Sequence, residues 1–264
     1  MPKYAKIARK LKKGRKMRKI LLGLGLFVAL FLSACSSNEK DTLRVATNAN
    51  FPPYEYIENG DYAGIDIEIA KQIAKELNLK LDIQNMPFDS IIAAVASNKV
   101  DIGISGFTVT DERKKSINFS DSYAKSKQAI IVKDDSSIKK VDDLYGDNAY
   151  SVGVQLSTTG AIYFGDDIEN KKTKATLHEY HNGADAVAAL IAGKIDCVII
   201  DEQPAKSFVA SNRGLEILAT EYVEEEYAII VSKEKEELLK KINSIISKLK
   251  SDGTIDAIQK KYIK

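Results

Sequence analysis

The stretch VDIGISGFTVTDER, residues 100–113, decides how the rest of the chain is organised. Its first five residues alternate branched apolar side chains with Asp101 and Gly103, a pattern that predicts a buried strand. Gly106 then ends the strand, and a glycine at this place lets another molecule approach the backbone closely. In open α/β sheets, ligands bind outside the carboxyl ends of the strands. We therefore predict a ligand site directly after this strand.

The residues after Gly106 carry groups that suit an anion. Thr108 and Thr110 contribute hydroxyls, and Thr110 is placed to cap a short helix that holds Arg113. The planar guanidinium of arginine matches a carboxylate. Taken singly, each feature has an ordinary explanation of equal weight: a turn, a helix cap and a solvated charge. Their combination favours an anion site.

The pattern that precedes this strand recurs later in the chain. IAAVASNKVD at residues 92–101 and VAALIAGKID at residues 187–196 share one order: a helix ends, Lys-[Val/Ile]-Asp follows and a strand begins. The second copy places Asp201 close to where the first copy places Gly106. Two βαβ-like units with polar residues at equivalent strand ends predict two related lobes that face each other across a cleft. Asp201 then faces Arg113, which is the arrangement that a zwitterion such as an α-amino acid requires.

The first 34 residues have the pattern of an export signal. They contain ten Lys and Arg, no acidic residue, and an apolar run at residues 20–32. This run is too short for a comfortable transmembrane helix, so we predict that residues 1–34 are removed as a signal peptide.

The signal ends in LSAC, residues 32–35, which resembles the bacterial lipobox. The resemblance implies that Cys35 carries diacylglycerol and palmitate and becomes the first residue of the mature chain. An ordinary signal peptide with a chance cysteine is the alternative. The polar segment at residues 35–41 has the composition of a tether and favours the lipoprotein. We therefore expect an exported protein that is lipid-anchored to the cell membrane.

The chain is acidic once the leader is set aside. Of the 39 Lys and Arg, ten lie in the leader; the remaining 29 stand against 37 Asp and Glu, a net charge of −8. Nucleic acid is not an expected partner, because phosphate binding needs a basic face. Cys197 lies in an apolar strand and reads as a buried thiol. His178 and His181 have no third His or Cys to support a metal site, so we expect neither metal nor cofactor.

Two more strand-end loops carry aromatic residues. Phe51 lies in NANFPPYEY, residues 48–56, where two prolines exclude a helix, and Phe88 lies in the loop before the next helix. The two rings could clamp a ligand side chain. Packing into the adjacent core is the alternative, and we favour it for Tyr54 but not for Phe51. QLSTTG at residues 155–160 opens a helix whose free N–H groups suit an anion, with a plain capped helix as the equal alternative.

With these residues placed, the chain after the leader resembles the polar amino-acid-binding proteins of bacterial ABC importers, the extracellular solute-binding family 3 that includes glutamine- and histidine-binding proteins. The motifs that match in order are NANFPPYEY, GID at 64–66, GFTVTDER at 106–113, VGVQ at 152–155 and TTG at 158–160. The resemblance implies an α/β fold of the periplasmic-binding type II class. Each of its two lobes is a mixed sheet flanked by helices, and two strands join them as a hinge.

This fold sets the domain boundaries that we expect. Lobe I comprises residues 42–123 and 228–264, and lobe II comprises residues 124–227 with the hinge crossings, near residues 123–127 and 222–226. The resemblance also implies nine ligand-binding residues: Asn48, Phe51, Phe88, Gly106, Thr108, Arg113, Gln155, Thr159 and Asp201.

The resemblance assigns a role to each end of the ligand. Arg113, Thr108 and the backbone of Thr159 bind the α-carboxylate, while Asp201 and the carbonyl of Gly106 bind the α-ammonium.

The remaining four residues, by the same resemblance, surround the ligand side chain. Phe51 and Phe88 flank it, and Asn48 and Gln155 occupy positions that vary with the preferred amino acid. Two rings favour arginine or lysine, because a guanidinium or an aliphatic stem fits between them. A neutral lining fits glutamine as well, and basic-amino-acid binders of the family often place an acid at position 48.

The implied function is binding without catalysis: a monomer closes over an amino acid and delivers it to the transmembrane subunits of an ABC permease. Some proteins of this fold are dehydratases of prephenate-like acids, and others are sensor domains. An enzyme would need a general acid or base beyond the zwitterion receptors. Asp201 is the candidate, and binding already employs it. A structural lipoprotein or adhesin, which binds no amino acid, is the third class.

Overall fold

The computed structural model describes residues 41–218 and 223–263. The predicted signal peptide, Cys35 and nearly all of the tether lie outside the described residues, as does Tyr222 of the second hinge crossing. Within the described ranges, no helix is long and apolar enough to cross a membrane.

The elements of the first half of the chain surround strand β1. They are β1 Thr42–Thr47, β2 Asn50–Phe51, β3 Glu55–Glu58, β4 Asp61–Ala63, α1 Ile65–Glu76, β5 Lys80–Asn85, α2 Phe88–Ala96, β6 Ile102–Gly103, α3 Asp111–Lys114 and β7 Asn118–Phe119. Apolar residues three and four apart, such as Ile69 and Ile73, give α1 one buried face, which packs on Leu43 and Val45 of β1.

The second half of the chain forms another sheet and returns to the first. Its elements are β8 Ala124–Lys133, a 3-10 turn Val141–Leu144, β9 Ser151–Gln155, α4 Thr159–Glu169, β10 Thr176–Tyr180, α5 Gly183–Ile191, β11 Cys197–Asp201, α6 Glu202–Ser211, β12 Leu215–Ile217, β13 Glu224–Tyr227, β14 Ile230–Val231, α7 Glu236–Ser251 and α8 Thr254–Tyr262. Cys197 is buried and free, as the sequence predicted.

Both large sheets are mixed, and both contain the same three-strand unit. The first has the order β5-β1-β6-β14-β7, and the second has the order β10-β9-β11-β8-β12 with β13 also paired to β8. In each, the first strand of a βαβ unit lies between the second and third strands and is parallel to both. The sequence repeat is therefore a repeat of topology, and the α/β fold with mixed sheets flanked by helices is confirmed.

The aspartate of each repeat ties two strands of its unit together. Asp101 accepts a hydrogen bond from the backbone N–H of Arg44 at 2.9 Å and donates its own N–H to the Arg44 carbonyl at 2.9 Å. Asp196 makes the same pair of bonds with Ser151, at 2.7 and 2.8 Å. This pair of hydrogen bonds to the first strand of each unit explains why the aspartate of Lys-[Val/Ile]-Asp occurs twice.

Asp101 also forms ion pairs with Arg44 and Lys235. Burial alone would raise the pKa of its carboxyl, but hydrogen bonds from Arg44 and Lys235 outweigh burial and lower the pKa to about 2. A depressed pKa means that Asp101 stabilises the fold above about pH 4 and loses this contribution as the pH falls toward 2.

Some element bounds differ from those predicted. Strand β6 covers two residues rather than residues 100–104, because Lys99 and Val100 donate their N–H groups to the carbonyl of Ala94 and belong to the turn that ends α2. Phe88 is the first residue of α2 and not part of a loop. Strand β8 begins at residue 124, and β13 pairs with its first four residues. The two predicted crossings are therefore neighbours.

Candidate functional site

One cavity is lined by all nine of the ligand-binding residues that were predicted from the sequence. Its lining comprises Asn48, Phe51, Glu55, Phe88, Ser105, Gly106, Thr108, Arg113, Gln155, Thr158, Thr159 and Asp201. Strands β1, β6, β9 and β11 end at or just before lining residues, so parallel strands of both sheets deliver side chains to the same place. Glu55, Ser105 and Thr158 were not nominated from the sequence.

Arg113 is the cation of the cavity. Its side chain is buried, donating to the carbonyls of Thr108 at 2.8 Å and Ser157 at 3.0 Å. The guanidinium carbon lies 5.6 and 5.5 Å from the ring centres of Phe88 and Phe107, within the range of a cation–π contact. Burial lowers the pKa of Arg113, but arginine keeps its charge at any physiological pH. The alternative of a solvated surface charge is wrong.

The helix that carries Arg113 is short and held at its start. Thr110 is the N-cap, and its hydroxyl accepts the N–H of Arg113 at 3.2 Å, as predicted. In the other sheet unit, Thr158 caps α4 in the same way and accepts the N–H of Ala161 at 3.3 Å. Thr159 thus lies at the first turn of α4, where helical N–H groups point outward.

Asp201 is the acid on the other side of the cavity. It is the last residue of β11 and is buried; its Oδ1 accepts hydrogen bonds from Ser126 Oγ at 3.1 Å and from the hydroxyl of Tyr227. Burial and then the neighbouring Glu225 carboxyl raise the pKa of Asp201 to about 8. A buried carboxyl of this kind has a strong preference for a cationic partner.

Two amides connect the sheet units across the cavity. Gln155 Nε2 donates to Asn48 Oδ1 at 3.1 Å and to the carbonyl of His181 at 3.3 Å. Asn48 in turn donates its Nδ2 to the carbonyl of Met86 at 3.0 Å. These residues can offer either donors or acceptors to a polar group.

Gly106 has a conformation and surroundings that require glycine. Its φ is 54°, and a Cβ at this position would lie 3.2 Å from the Phe51 ring and 3.4 Å from the Tyr227 ring. Its N–H donates to Asp66 Oδ2 at 2.8 Å, and the hydroxyl of Tyr123 donates to the same oxygen at 2.9 Å. Asp66 therefore holds the glycine peptide in place, with its carbonyl fixed in direction.

A second buried acid adjoins this support. Glu55 Oε1 accepts the hydroxyl of Ser105 at 2.6 Å, and Ser105 Oγ also accepts the N–H of Asn48 at 3.1 Å. Burial raises the pKa of Glu55 well above its ordinary value, and burial raises that of Asp66 to about 6 against its hydrogen bonds from Gly106 and Tyr123. Glu55 lies in the motif NANFPPYEY and Asp66 in the motif GID, so both acids could have been predicted from the sequence as residues that support the site. Asp66 does not cap helix α1, because Gly64 occupies the N-cap position and Asp66 lies in the first turn.

The aromatic residues form two stacked pairs. Phe51 stacks on Tyr54 with ring centres 6.1 Å apart, and Phe88 stacks on Phe107 at 4.6 Å. Tyr54 is almost fully buried, as favoured from the sequence, whereas Phe51 and Phe88 line the cavity. Among the described residues, no group of three or more His, Cys, Asp and Glu is placed to hold a metal ion.

Two mixed sheets flanked by helices, with a buried polar cavity between strand ends of both, define a two-lobed binding protein. The chain belongs to the bacterial extracellular solute-binding proteins, family 3, whose family model matches residues 43–264.

Relatives with named ligands have similar sequences over almost their full length. The arginine-binding extracellular protein ArtP of Bacillus subtilis (strain 168) is 31% identical, covering 92% of this chain and 96% of the relative. The ABC transporter glutamine-binding protein GlnH of the same organism is 32% identical, covering 88% and 84%. A solved structure, an ancestral arginine-binding protein bound to arginine, is 39% identical with a TM-score of 0.79, covering 86% of this chain and all of that one.

Proposed function

We propose that this protein is the substrate-binding component of an ABC importer for polar amino acids, and that it closes around the zwitterion and presents it to a membrane permease. One observation carries the proposal: Arg113 and Asp201, a buried cation and a buried acid from different sheet units, line one cavity. Family membership supports it, since the named relatives are binding proteins. No catalytic step is part of the proposal.

The carboxylate end of the ligand lies at Arg113. The guanidinium offers a planar fork, and Thr108 and Thr159 lie in the same lining. The first turn of α4 adds the partial positive charge of a helix N-terminus, which favours an anion.

The ammonium end lies at Asp201 and the carbonyl of Gly106. A protonated amine has three N–H donors, and it fits a carboxylate and a carbonyl that approach from different sides. The carbonyl does not swing away, since Asp66 holds the N–H of the same residue.

The side chain of the ligand lies between Phe51 and Phe88, with Asn48 and Gln155 as polar partners. We favour arginine or lysine, because a cation over a ring contributes up to about 2 kcal/mol when desolvated. Glutamine is the second candidate: the amides at positions 48 and 155 also match a ligand amide, and a similar relative is named as a glutamine-binding protein.

Closing of the cavity uses the two neighbouring crossings, residues 123–127 and 222–226, as a hinge. Contacts between the sheet units, Gln155 to Asn48 and Arg113 to the Ser157 carbonyl, support a closed arrangement in which both units reach the ligand. Small-angle scattering tests this closing, and an unchanged radius of gyration at saturating ligand would contradict it.

We expect a thermal-shift screen of the twenty amino acids to give the largest increase in Tm with arginine. A ligand that binds only the folded protein raises stability in proportion to the logarithm of its concentration over Kd. Competition calorimetry then ranks the candidates. Displacement of bound arginine by an equal concentration of glutamine would overturn the basic preference, and no shift with any amino acid would overturn the proposed function.

The membrane anchor rests on the lipobox at residues 32–35. Two acyl chains on one residue anchor stably, whereas one is marginal. We expect metabolic palmitate labelling of the full-length chain to disappear in Cys35→Ala. Labelling that persists in this variant would contradict lipidation at Cys35.

A further inference from the structure

Strand β13 carries an acid that the proposed zwitterion site does not use. Glu225 is 5% exposed, and its Oε2 accepts the Thr108 hydroxyl at 3.0 Å and Gln128 Nε2 at 3.0 Å. Its Oε1 is buried and has no hydrogen-bond partner among the described residues. An unpaired carboxylate oxygen in such a place is costly, so its surroundings must supply either a proton or a cation.

The register of β8 brings this acid next to Asp201. Ser126 of β8 pairs with Glu225 of β13, while Gln128, on the same face two residues on, pairs with Asp201 of β11. The side chains then cross over: Ser126 donates to Asp201, and Gln128 donates to Glu225. The two carboxyls are therefore neighbours: each accepts a hydrogen bond from the β8 residue that pairs with the other.

Two ionised carboxylates that are buried side by side repel each other and have only acceptor atoms, so burial of the pair favours a state in which one of them carries a proton. The titratable groups that face Asp201 are Tyr54, Glu55, Arg113, Tyr163, Glu225 and Tyr227. Those on the outer side of Glu225 are Lys125, Lys127, Glu202, Glu224 and Glu226. Within the first group, Arg113 is the sole cation, and the ligand carboxylate occupies it in the proposed function.

We propose that Asp201 and Glu225 act as one acid: they share a single proton before the ligand binds, and they release it to solvent when the ligand ammonium takes its place. Glu225 is thus a positioning residue, which acts on the ligand through Asp201. The inference rests on the proposed function, and it makes amino-acid binding proton-linked.

The direction of the pH dependence follows from charge. A bound ammonium favours the ionised form of Asp201, whose pKa without it is about 8. Near neutral pH, binding therefore releases close to one proton, and the affinity rises by up to about tenfold per pH unit between pH 6 and 7. The release declines above pH 8, where Asp201 is already ionised before the ligand binds.

Calorimetry of the whole protein with arginine at pH 7, in phosphate and in Tris, measures the released protons, because the two buffers take up a proton with different enthalpies. We expect nearly one proton for the wild type. In Glu225→Gln the amide donates to Asp201 and removes the like charge, so release should fall below about half of the wild-type value.

Glu202→Gln is the matched control, because it removes the same charge from the residue that follows Asp201, where the side chain is partly exposed and pairs with Lys206 at 2.7 Å. This variant should release as many protons as the wild type. Circular dichroism verifies that each variant is folded. If Glu225→Gln does not fold, the number of protons that the wild type releases on binding still tests the inference. Binding without proton release, or equal release by wild type and Glu225→Gln, would overturn the inference alone. Absence of binding to every amino acid would overturn both it and the proposed function.

Discussion

Arg113→Ala should weaken amino-acid binding by more than about thirtyfold. Truncating one member of a desolvated charged contact costs roughly 2–5 kcal/mol, and 1.4 kcal/mol is a factor of ten in Kd. The side chain is buried and its guanidinium is aimed by two carbonyl oxygens, those of Thr108 and Ser157, so no neighbouring cation can replace it without rearrangement. Calorimetry on the purified variant measures the loss.

Two further variants separate charge from geometry. Arg113→Lys keeps the charge and loses the planar fork, so its affinity should lie between those of the wild type and Arg113→Ala. Lys114→Ala is the matched control, since Lys114 lies on the same short helix, is exposed and pairs with Asp111 at 3.0 Å; its affinity should equal that of the wild type. A Kd for folded Arg113→Ala within about threefold of wild type would show that Arg113 does not hold the ligand.

Gly64→Ala should destabilise the protein by at least about 3 kcal/mol. The φ of Gly64 is 119°, and a Cβ there would lie 2.1 Å from the backbone oxygen of Tyr54 and 2.9 Å from that of Pro53. Neither obstacle can rotate away, because both carbonyls are held by helix α1: Pro53 accepts the N–H of Ile65 and Tyr54 accepts the N–H of Asp66. Urea denaturation measures the change.

Gly60→Ala is the control for this experiment. Gly60 also has a positive φ, 89°, but no atom lies within 4 Å of the position of its Cβ. Gly60→Ala should lower the free energy of unfolding only by the backbone strain of alanine in a left-handed conformation, on the order of 1–2 kcal/mol. Equal losses in the two variants would show that the collision at Gly64 is relieved by local movement. A large loss at Gly64 alone would also reduce ligand binding, because Asp66 supports Gly106 from the same helix start.

Local patterns in the sequence were sufficient to predict elements that surround the cavity. The threonine cap of α3 is a signal contained within a few neighbouring residues, and the structure has it where it was predicted; the strand before Gly106 was also predicted, but it ends earlier, at Gly103. The repeat went further: it predicted two related units, and the two units have the same order of strands. The aspartate recurs because Asp101 and Asp196 each make two hydrogen bonds to the first strand of their unit. These bonds join residues more than forty positions apart, so no local pattern in the sequence indicates them.

The run EEEY at residues 224–227 shows what the sequence alone determined and what only the tertiary structure decided. Period-two alternation places Glu225 and Tyr227 on one face and Glu224 and Glu226 on the other, and this much is local. Nothing in three identical glutamates says which face is buried, since acids are exposed by default. Pairing of β13 with β8 makes that choice, and it sets Glu225 beside Ser126, whose hydroxyl donates to Asp201. The neighbours of a buried charge come from distant strands, so its chemistry depends on a register that only the folded chain has.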